Sequence, residues 1–587
     1  MPTPARVRPE PVPLGLAREH VAGYGPAPRP NGRQGGRSKR GALIFAAIAF
    51  GAGALQAAAF APFDAWWLQL AALAVLPLLI MHAPARAALS GFAFGLGWFL
   101  AGVSWLYISM HRYGGMPAPL AGLALLAFAA YLALFPMLVS LLAAWPLRRR
   151  GALAVHALDI GAARQGTAQP GTAQPESTAR ESAPGISTAL LFAGGWGITE
   201  MVRGHLFTGF PWLAIGYAHV DGPLAGFAPW VGVYGISALA ALAAAGLALV
   251  LRAAATRRAA SWSGLACALL PLAAGVALAG IDWVEPAGKP LAVRLLQGNV
   301  PQEMKFDRER SLRSMQHYTE QVLQAPAQLT VLPETAWTTP WSATPAPLAE
   351  ALADHAARHG GVIAIGMPLV VAPSADAPQA LRLTNSVAVI DGRGLIATRY
   401  DKRHLVPFGE FIPLGFGWFV RMMNIPLGEF ARGGARQPPL TLAGARIAFN
   451  ICYEDLFGEE LAQQVRDGAT ILVNVSNIAW FGDSHALPQH LQIARMRAIE
   501  FARPMLRSTN TGVTAAIDAR GRVIGQLPAY TVGALAVSVE GADGMTPFSR
   551  AAVLLPAALA LTLLAAGLLA DRRAQRRARM HRAGDLH

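Results

Sequence analysis

Long unbroken apolar runs fill the first half of the chain, and shorter apolar runs alternating with helical-period stretches fill most of the second. The long runs fall near 42–61, 65–82, 88–110, 118–146, 186–203, 224–251, 262–281 and 551–570. A bilayer hydrocarbon core of about 30 Å takes roughly 20 helical residues to cross. The runs therefore predict a multi-span α-helical membrane bundle over 41–285, of about seven spans, and a last transmembrane helix over 551–570. Within 186–203, Glu200 sits in the run and Arg203 closes it. Such a pair either faces the bundle interior or a site or lies at the membrane interface, and the pattern leaves both readings open.

From Leu291 the texture changes. Short β-rich runs at Ala292 to Gln297, Leu329 to Leu332, Gly361 to Ile365, Ser386 to Ile390, Ile447 to Ile451, Ile471 to Val475 and Thr514 to Ile517 alternate with helical patterns at 308–324, 346–359, 458–467 and 486–502. That alternation predicts an α/β domain over 290–545. Most of these strands are apolar on both faces, as a sheet sandwiched between layers requires. No internal repeat points to a transporter built from duplicated halves.

Composition agrees with lipid as the main solvent. Of 587 residues 53% are hydrophobic and only 14% charged, against roughly 25% charged in soluble proteins. The net charge of +15 does not predict a nucleic-acid partner, because the basic residues gather beside the apolar runs and not on a folded face. Residues 1–40 and 161–185, rich in Gly, Pro and small polar residues, read as a disordered tail and a flexible loop. Basic clusters at Arg33, Arg37, Lys39 and Arg40, at Arg148 to Arg150, at Arg252, Arg257 and Arg258, and in the tail 571–587 all fall on one side if the spans alternate. The positive-inside rule makes that side cytoplasmic. The domain at 290–545 is then expected in the periplasm of a bacterial inner-membrane protein. The small residues Ala57 to Ala59 also suit a signal-peptide cleavage site, though the many further spans favour an uncleaved anchor. Only two cysteines occur, Cys267 in an apolar run and Cys452 in the outer domain. They predict no disulfide framework, and they leave a lone thiol in an oxidising compartment to be explained.

Three reactive side chains stand just beyond apolar strands: Glu334 after Leu329-Thr-Val-Leu-Pro, Lys402 after Arg399-Tyr-Asp, and Cys452 after Ile447-Ala-Phe-Asn-Ile. Strand ends are where α/β folds collect site residues. Singly, each has a plain alternative: a helix-starting Glu, a solvated Lys, a small buried hydrophobe. Together, a base beside the thiol and a cation beside developing negative charge permit cysteine-nucleophile acyl chemistry. Glu334 is the candidate base, and Lys402 with the backbone N–H of Tyr453 are the candidate oxyanion donors.

The order of these residues and their contexts, Leu332-Pro-Glu-Thr, Tyr400-Asp-Lys-Arg-His-Leu-Val-Pro-Phe-Gly-Glu and Ile451-Cys-Tyr-Glu-Asp, resembles the nitrilase superfamily of carbon–nitrogen hydrolases. That resemblance implies a Glu-Lys-Cys triad on an αββα sandwich. With the spans, and with Gln297-Gly-Asn-Val-Pro-Gln, Phe207-Thr-Gly-Phe-Pro-Trp, Asn477-Ile-Ala-Trp-Phe-Gly and Ser508-Thr-Asn-Thr-Gly, the chain resembles the membrane branch of that superfamily, the apolipoprotein N-acyltransferases. Two departures stand out. Ile478 occupies a position where that family commonly has Asp, and Phe306 one where it often has Trp.

The resemblance implies transfer of an acyl chain from a phospholipid, through a Cys452 thioester, to the α-amino group of a diacylglyceryl lipoprotein, with no cofactor and no metal. It also implies that Glu410 steadies Lys402 or the base, although a simple salt bridge is an equal reading. Asn385 is a hydrogen-bonding candidate. Glu454 is assigned a structural role, and its charge and that of Asp455 suit the start of a helix. Phe416, Trp418 and Phe419 lie in an unusually apolar connection, Phe408 to Phe430, that reads as a lid contacting lipid or as ordinary core. A membrane-anchored amidase with the same triad is the alternative function, and a transporter or scaffold with an inert outer domain is disfavoured by the intact triad. The charge pattern also makes a topological prediction. A reporter active only in the cytoplasm, fused after Gly541, is expected to be silent, and activity there overturns the orientation.

Overall fold

The computed structural model describes residues 32–164, 185–257, 259, 261–301, 308–371, 382–413, 415–417 and 430–584. Phe306, Trp418, Phe419 and the greater part of the predicted tail and flexible loop lie outside these residues. Helices form at each of the first seven long apolar runs: α1 (Gly32–Gln56), α2 (Trp66–His82), α3 (Ala87–Gly102), α4 (Ala118–Arg164), α5 (Ile186–Arg203), α6 (Ala228–Ala255) and α7 (Trp262–Leu278). Two of them reach into sequence expected to be disordered, because α1 begins at Gly32 and α4 runs on to Arg164. Once a helix is nucleated each added residue gains a hydrogen bond, so extension from an apolar segment is cheap.

Among the described residues four helices are long and apolar enough to cross a membrane: Lys39–Ala59, Ala118–Arg150, Pro223–Ala255 and Leu554–Met580. A fifth candidate is bent by 62° between Pro84–Gly102 and Leu106–Tyr113, where a single straight run over 88–110 was expected. Trp66–His82 and Trp262–Leu278 are shorter apolar helices.

The α/β domain is a four-layer sandwich. One sheet has the order β12-β1-β2-β3-β4-β5 and the other β11-β10-β9-β8-β7-β6. The first contains β1 (Val284–Gln297), β2 (Leu329–Val331), β3 (Val362–Val371), β4 (Arg382–Asp391), β5 (Gly394–Asp401) and β12 (Gly533–Gly544). The second contains β6 (Leu440–Leu442), β7 (Ala445–Ile451), β8 (Ile471–Ser476), β9 (Met505–Thr509), β10 (Ala515–Ile517) and β11 (Val523–Gln526). Each sheet has three parallel central strands, β1-β2-β3 and β7-β8-β9, flanked by antiparallel ones.

Alternation along the strands explains the layers. Ile447, Phe449 and Ile451 of β7 pack between the sheets with Val293 and Leu295 of β1. Ala448, on the opposite face of β7, packs against α10 (Gly458–Arg466) and α11 (Ala486–Phe501). Likewise Ile363 and Ile365 of β3 meet α8 (Arg308–Leu323) and α9 (Ala346–His359). Strands with both faces buried were the sequence expectation, and helices on one side with a second sheet on the other are what bury them.

Domain and bundle share one apolar core. Leu456, Phe457, Ile478, Leu487, Ile493 and Met496 belong to the same buried cluster as Trp98, Phe192 and Trp212 of the helices and their outer loop. The last helix, α12 (Leu554–Gly584), closes on α5 and α6 through small residues. A Cβ at Gly194 would stand 2.6 Å from the carbonyl oxygen of Ala560, and one at Gly197 would stand 2.9 Å from the Ala238 Cβ.

That contact yields a prediction. Gly194→Ala forces α5 and α12 apart and is expected to cost about 1–3 kcal/mol, the usual penalty of overpacking, seen as a lower Tm of the purified protein. Gly51→Ala, at a glycine with nothing within 4 Å, is expected to leave Tm unchanged or raise it, since Ala is the better helix former. Equal melting of the two variants would show that the α5–α12 approach is loose.

Candidate active site

The sandwich brings the ends of several strands to one place. Glu334 lies three residues past β2, Asn385 is within β4, Lys402 follows β5 and Cys452 follows β7. All four sequence-predicted groups, together with Glu410, converge, and all but Cys452 are almost wholly buried. The Lys402 ammonium donates to Glu334 Oε1 at 3.2 Å and to Glu410 Oε1 at 3.0 Å. Asn385 Nδ2 repeats the pattern, donating to the same two oxygens at 2.7 and 2.6 Å. Each carboxylate gives its second oxygen to a backbone N–H, Asn477 at 2.8 Å for Glu334 and Val406 at 2.9 Å for Glu410. Both carboxylates thus accept three hydrogen bonds, which buried charges need if they are to stay charged.

The protonation pattern follows from these partners. Burial works against the Glu334 charge, yet Lys402, Asn385 and the Asn477 N–H together hold its carboxyl below the usual carboxylate range. Burial likewise opposes the charge on Lys402, but Glu334 and Glu410 hold its ammonium well above the usual lysine range. At Cys452 burial wins: with Glu334 acting in the same direction, and Lys402 only partly opposing, the thiol is pushed well above its ordinary value. Glu334 acts on that thiol more strongly than Glu410 does. Glu410 completes the cage around Lys402.

Cys452 has φ +54°, a left-handed conformation that a non-glycine residue holds only when its surroundings enforce it. Two neighbours supply the enforcement. Glu454 accepts the Ile451 N–H at 2.7 Å and the Tyr400 hydroxyl at 2.9 Å on one oxygen, and the N–H groups of Arg403 and His404 at 2.7 and 3.0 Å on the other. A single side chain therefore ties the turn bearing Cys452 to the strand exit bearing Lys402. Burial lifts its pKa to about 7 against the pull of those N–H groups and of Lys402. Asp455 is also buried and pairs with His490 at 2.8 Å and Arg507 at 2.9 Å. Glu454 and Asp455 stand in the first turn of a helix, as the sequence placed them, and Glu454 accepts the N–H of the residue that caps it. Residues Cys452–Leu456 form a single 3-10 turn, and both carboxylates point into the fold.

Tyr453 donates its hydroxyl to the Gly209 carbonyl in the loop after α5 at 2.9 Å. Cys452 and Tyr453 pack against the core shared with the membrane helices. In the apolar connection Phe416 is 45% exposed and stands edge-on to Phe408, with ring centroids 5.4 Å apart. Asn477, Tyr400 and His404 carry site contacts that sequence reasoning left without a role. All three lie within tracts that stood out in the sequence; Asn477 and His404 reach the site carboxylates through backbone N–H groups, which leave no side-chain signature, and Tyr400 does so through its hydroxyl. Among the described residues no group of three or more His, Cys, Asp or Glu side chains is placed to hold a metal ion.

Comparison with known proteins finds matches in both halves of the chain. A carbon-nitrogen hydrolase family model matches residues 292–542, and an apolipoprotein N-acyltransferase N-terminal domain model matches residues 52–247. The apolipoprotein N-acyltransferase of Ralstonia nicotianae is 48% identical over 503 residues, covering 85% of this chain and 88% of that protein. That of Bordetella bronchiseptica is 45% identical over 534 residues, covering 86% and 93%. That of Nitrosomonas europaea is 43% identical over 531 residues, covering 89% and 96%. The fold is accordingly nitrilase-like, with apolar helices that suit a membrane beside it.

The raised thiol pKa makes a direct prediction. Thiolate, not thiol, reacts with iodoacetamide, so alkylation of Cys452 in the resting protein is expected to be slow at neutral pH and still climbing at about pH 9. Peptide mass spectrometry after timed exposure measures it. A rate that levels off below neutral pH would mean a preformed thiolate and overturn the resting state described above.

Proposed function

The chain belongs to the apolipoprotein N-acyltransferase family, and we propose that it moves an acyl chain from a phospholipid to the α-amino group of a diacylglyceryl-cysteine lipoprotein, with Glu334, Lys402 and Cys452 as the catalytic triad. The observation that carries this reading is the position of Cys452, where the core between the sheets meets the apolar core that the domain shares with the bundle. A thiol facing that core meets ester carbonyls of lipids that remain in the bilayer. A hydrolase acting on water-soluble amides has no use for such a position, and this disfavours the amidase alternative.

In the first half-reaction the Cys452 sulfur attacks the phospholipid ester carbonyl while Glu334 takes the thiol proton. Lys402 and the Tyr453 N–H stabilise the oxyanion. The intermediate collapses by breaking the ester C–O bond, and the departing lysophospholipid oxygen recovers the proton from Glu334. In the second half-reaction the lipoprotein amine attacks the thioester, Glu334 takes its proton, and the amide forms as the sulfur leaves and is reprotonated. Proton transfer from a raised thiol to a depressed carboxylate is uphill at rest. It becomes favourable only as the sulfur bonds to carbon, so deprotonation and attack are coupled.

Glu410 and Asn385 hold Lys402 and Glu334 in place, and Glu454 positions the thiol turn. Phe416 is assigned to lipid contact, as are Trp418 and Phe419, which lie outside the described residues. The basic clusters support a periplasmic catalytic domain on a bacterial inner-membrane protein, with about seven spans before the domain and one after it.

Incubating the protein with labelled phospholipid alone is expected to place hydroxylamine-sensitive label on Cys452 before any lipoprotein is added. Cys452→Ala abolishes it, Glu334→Gln slows it severely, and Lys402→Ala lowers its rate by about 10²–10³, the usual loss for one oxyanion donor. Label appearing only as free fatty acid, at a rate indifferent to added lipoprotein, would make the protein a hydrolase.

A further inference from the structure

The loop that joins the end of α5 to residue 215 is held in an unusual shape. Phe207, Thr208 and Gly209 have φ of +53°, +73° and +82° in succession, and Leu213 has +59°. Left-handed geometry at non-glycine residues persists only where contacts over-determine it. Beyond the loop's backbone bonds, from the Gly209 N–H to Leu206 and from the Phe210 N–H to Arg203, the contacts come from the two ionisable residues of α5. Arg203 Nη1 donates to the carbonyls of Phe210 at 2.6 Å and Trp212 at 2.8 Å. Glu200 Oε1, 3.7 Å from Arg203 Nη2, accepts the Ile215 N–H at 3.1 Å. Both side chains are buried and face the protein interior. Arg203 also carries a buried nitrogen, Nη2, with no hydrogen-bond partner, and Glu200 a buried oxygen, Oε2, in the same condition. Fold stability alone gives no reason to retain such a pair, because an apolar replacement commonly serves as well.

The carbonyls inside the left-handed stretch are the ones the catalytic domain uses. Thr208 offers its oxygen to His404 Nε2 at 2.9 Å, two residues from Lys402, and Gly209 offers its oxygen to the Tyr453 hydroxyl at 2.9 Å, one residue from Cys452. We propose that Glu200 and Arg203 are positioning residues for the reaction: they shape the 205–215 loop so that its two carbonyls set the approach of the Lys402 exit and the Cys452 turn. The membrane bundle is thereby part of the alignment of the triad, and neither residue touches substrate. This inference rests on the Cys452 thioester proposed above.

The test is single-turnover acylation of Cys452 by labelled phospholipid, using the full-length protein in lipid. Arg203→Gln is expected to lower the acylation rate by about 10²-fold, the scale of a misplacement near 1 Å, with KM for lipid changed less than about twofold. Arg203→Lys restores only part of the rate, because a single ammonium lacks the planar fork that serves two carbonyls. Removing the links from the other side, with Tyr453→Phe and His404→Gln together, is expected to reproduce most of that loss. Adding Arg203→Gln to that pair then costs little more, since the path it acts through is already cut. If the loss from Arg203→Gln multiplies undiminished with that of the pair, or if Arg203→Gln lowers Tm while acylation per folded protein stays at the parent rate, the positioning role is overturned. Should Arg203→Gln fail to fold, the two-residue variant alone decides: parent-like acylation overturns the proposal, and a loss with unchanged KM supports it. A parent protein that forms no adduct on Cys452 overturns the acyltransfer reading itself and this inference with it, whereas a labelled parent with unaffected variants overturns the inference alone.

Discussion

The Lys402 ammonium, removed from water and shared between Glu334 and Glu410, is the interaction on which the rest of the site depends. Two carboxylates and one ammonium bring a net negative charge into the interior, where an uncompensated charge is expensive. The cost is met by an almost symmetrical set of donors: Asn385 spans both carboxylates as Lys402 does, and one backbone N–H completes each. Those donors come from β4, from the turn after Lys402 and from the segment after β8, so the cage forms only when both sheets are assembled. Folding and charge stabilisation are one event here. Removing any single partner strands a buried charge, a loss of about 3–5 kcal/mol in comparable pairs.

The same field accounts for the resting thiol. Cys452 stands in an environment already negative and dry, which favours its neutral form and leaves Lys402 unable to draw out the proton unaided. Nucleophilicity is withheld until a carbonyl is present to receive the sulfur. A lone thiol exposed to oxidants is protected by such an arrangement, because oxidation also proceeds through the thiolate.

Much of this was legible in the sequence, and the exceptions have physical causes. Helices 346–359 and 458–467 were evident from their period, and the observed Ala346–His359 and Gly458–Arg466 agree almost residue for residue. The strand at Met505–Thr509 went unread because Arg507 interrupts its apolar pattern. The guanidinium is buried there only because Asp455, 52 positions away in sequence, pairs with it. The strand Gly394–Asp401 is half-polar, and at the edge of its sheet most of its described side chains are only partly buried. Glu334 and Cys452 were readable because each follows an apolar strand, and Lys402 from the tract around it, whereas the supports from Asn477, Val406 and the loop carbonyls are main-chain groups that composition cannot reveal. The bend between Pro84–Gly102 and Leu106–Tyr113 was also missed, since apolar content alone says how long a segment is and not where it turns.

The first and last strands of the domain, β1 and β12, run side by side in antiparallel register, so the chain returns to the bundle next to where it left. The helix that follows, α12, then fits against the glycines of α5. During synthesis the earlier helices emerge long before this one, and their α5 face has to wait, without its final partner, while the whole intervening domain is made. Completion of the bundle is therefore the last step of biogenesis. A chain that stalls or is cut short after the domain leaves an unfilled groove in the membrane, a defect that quality control can recognise.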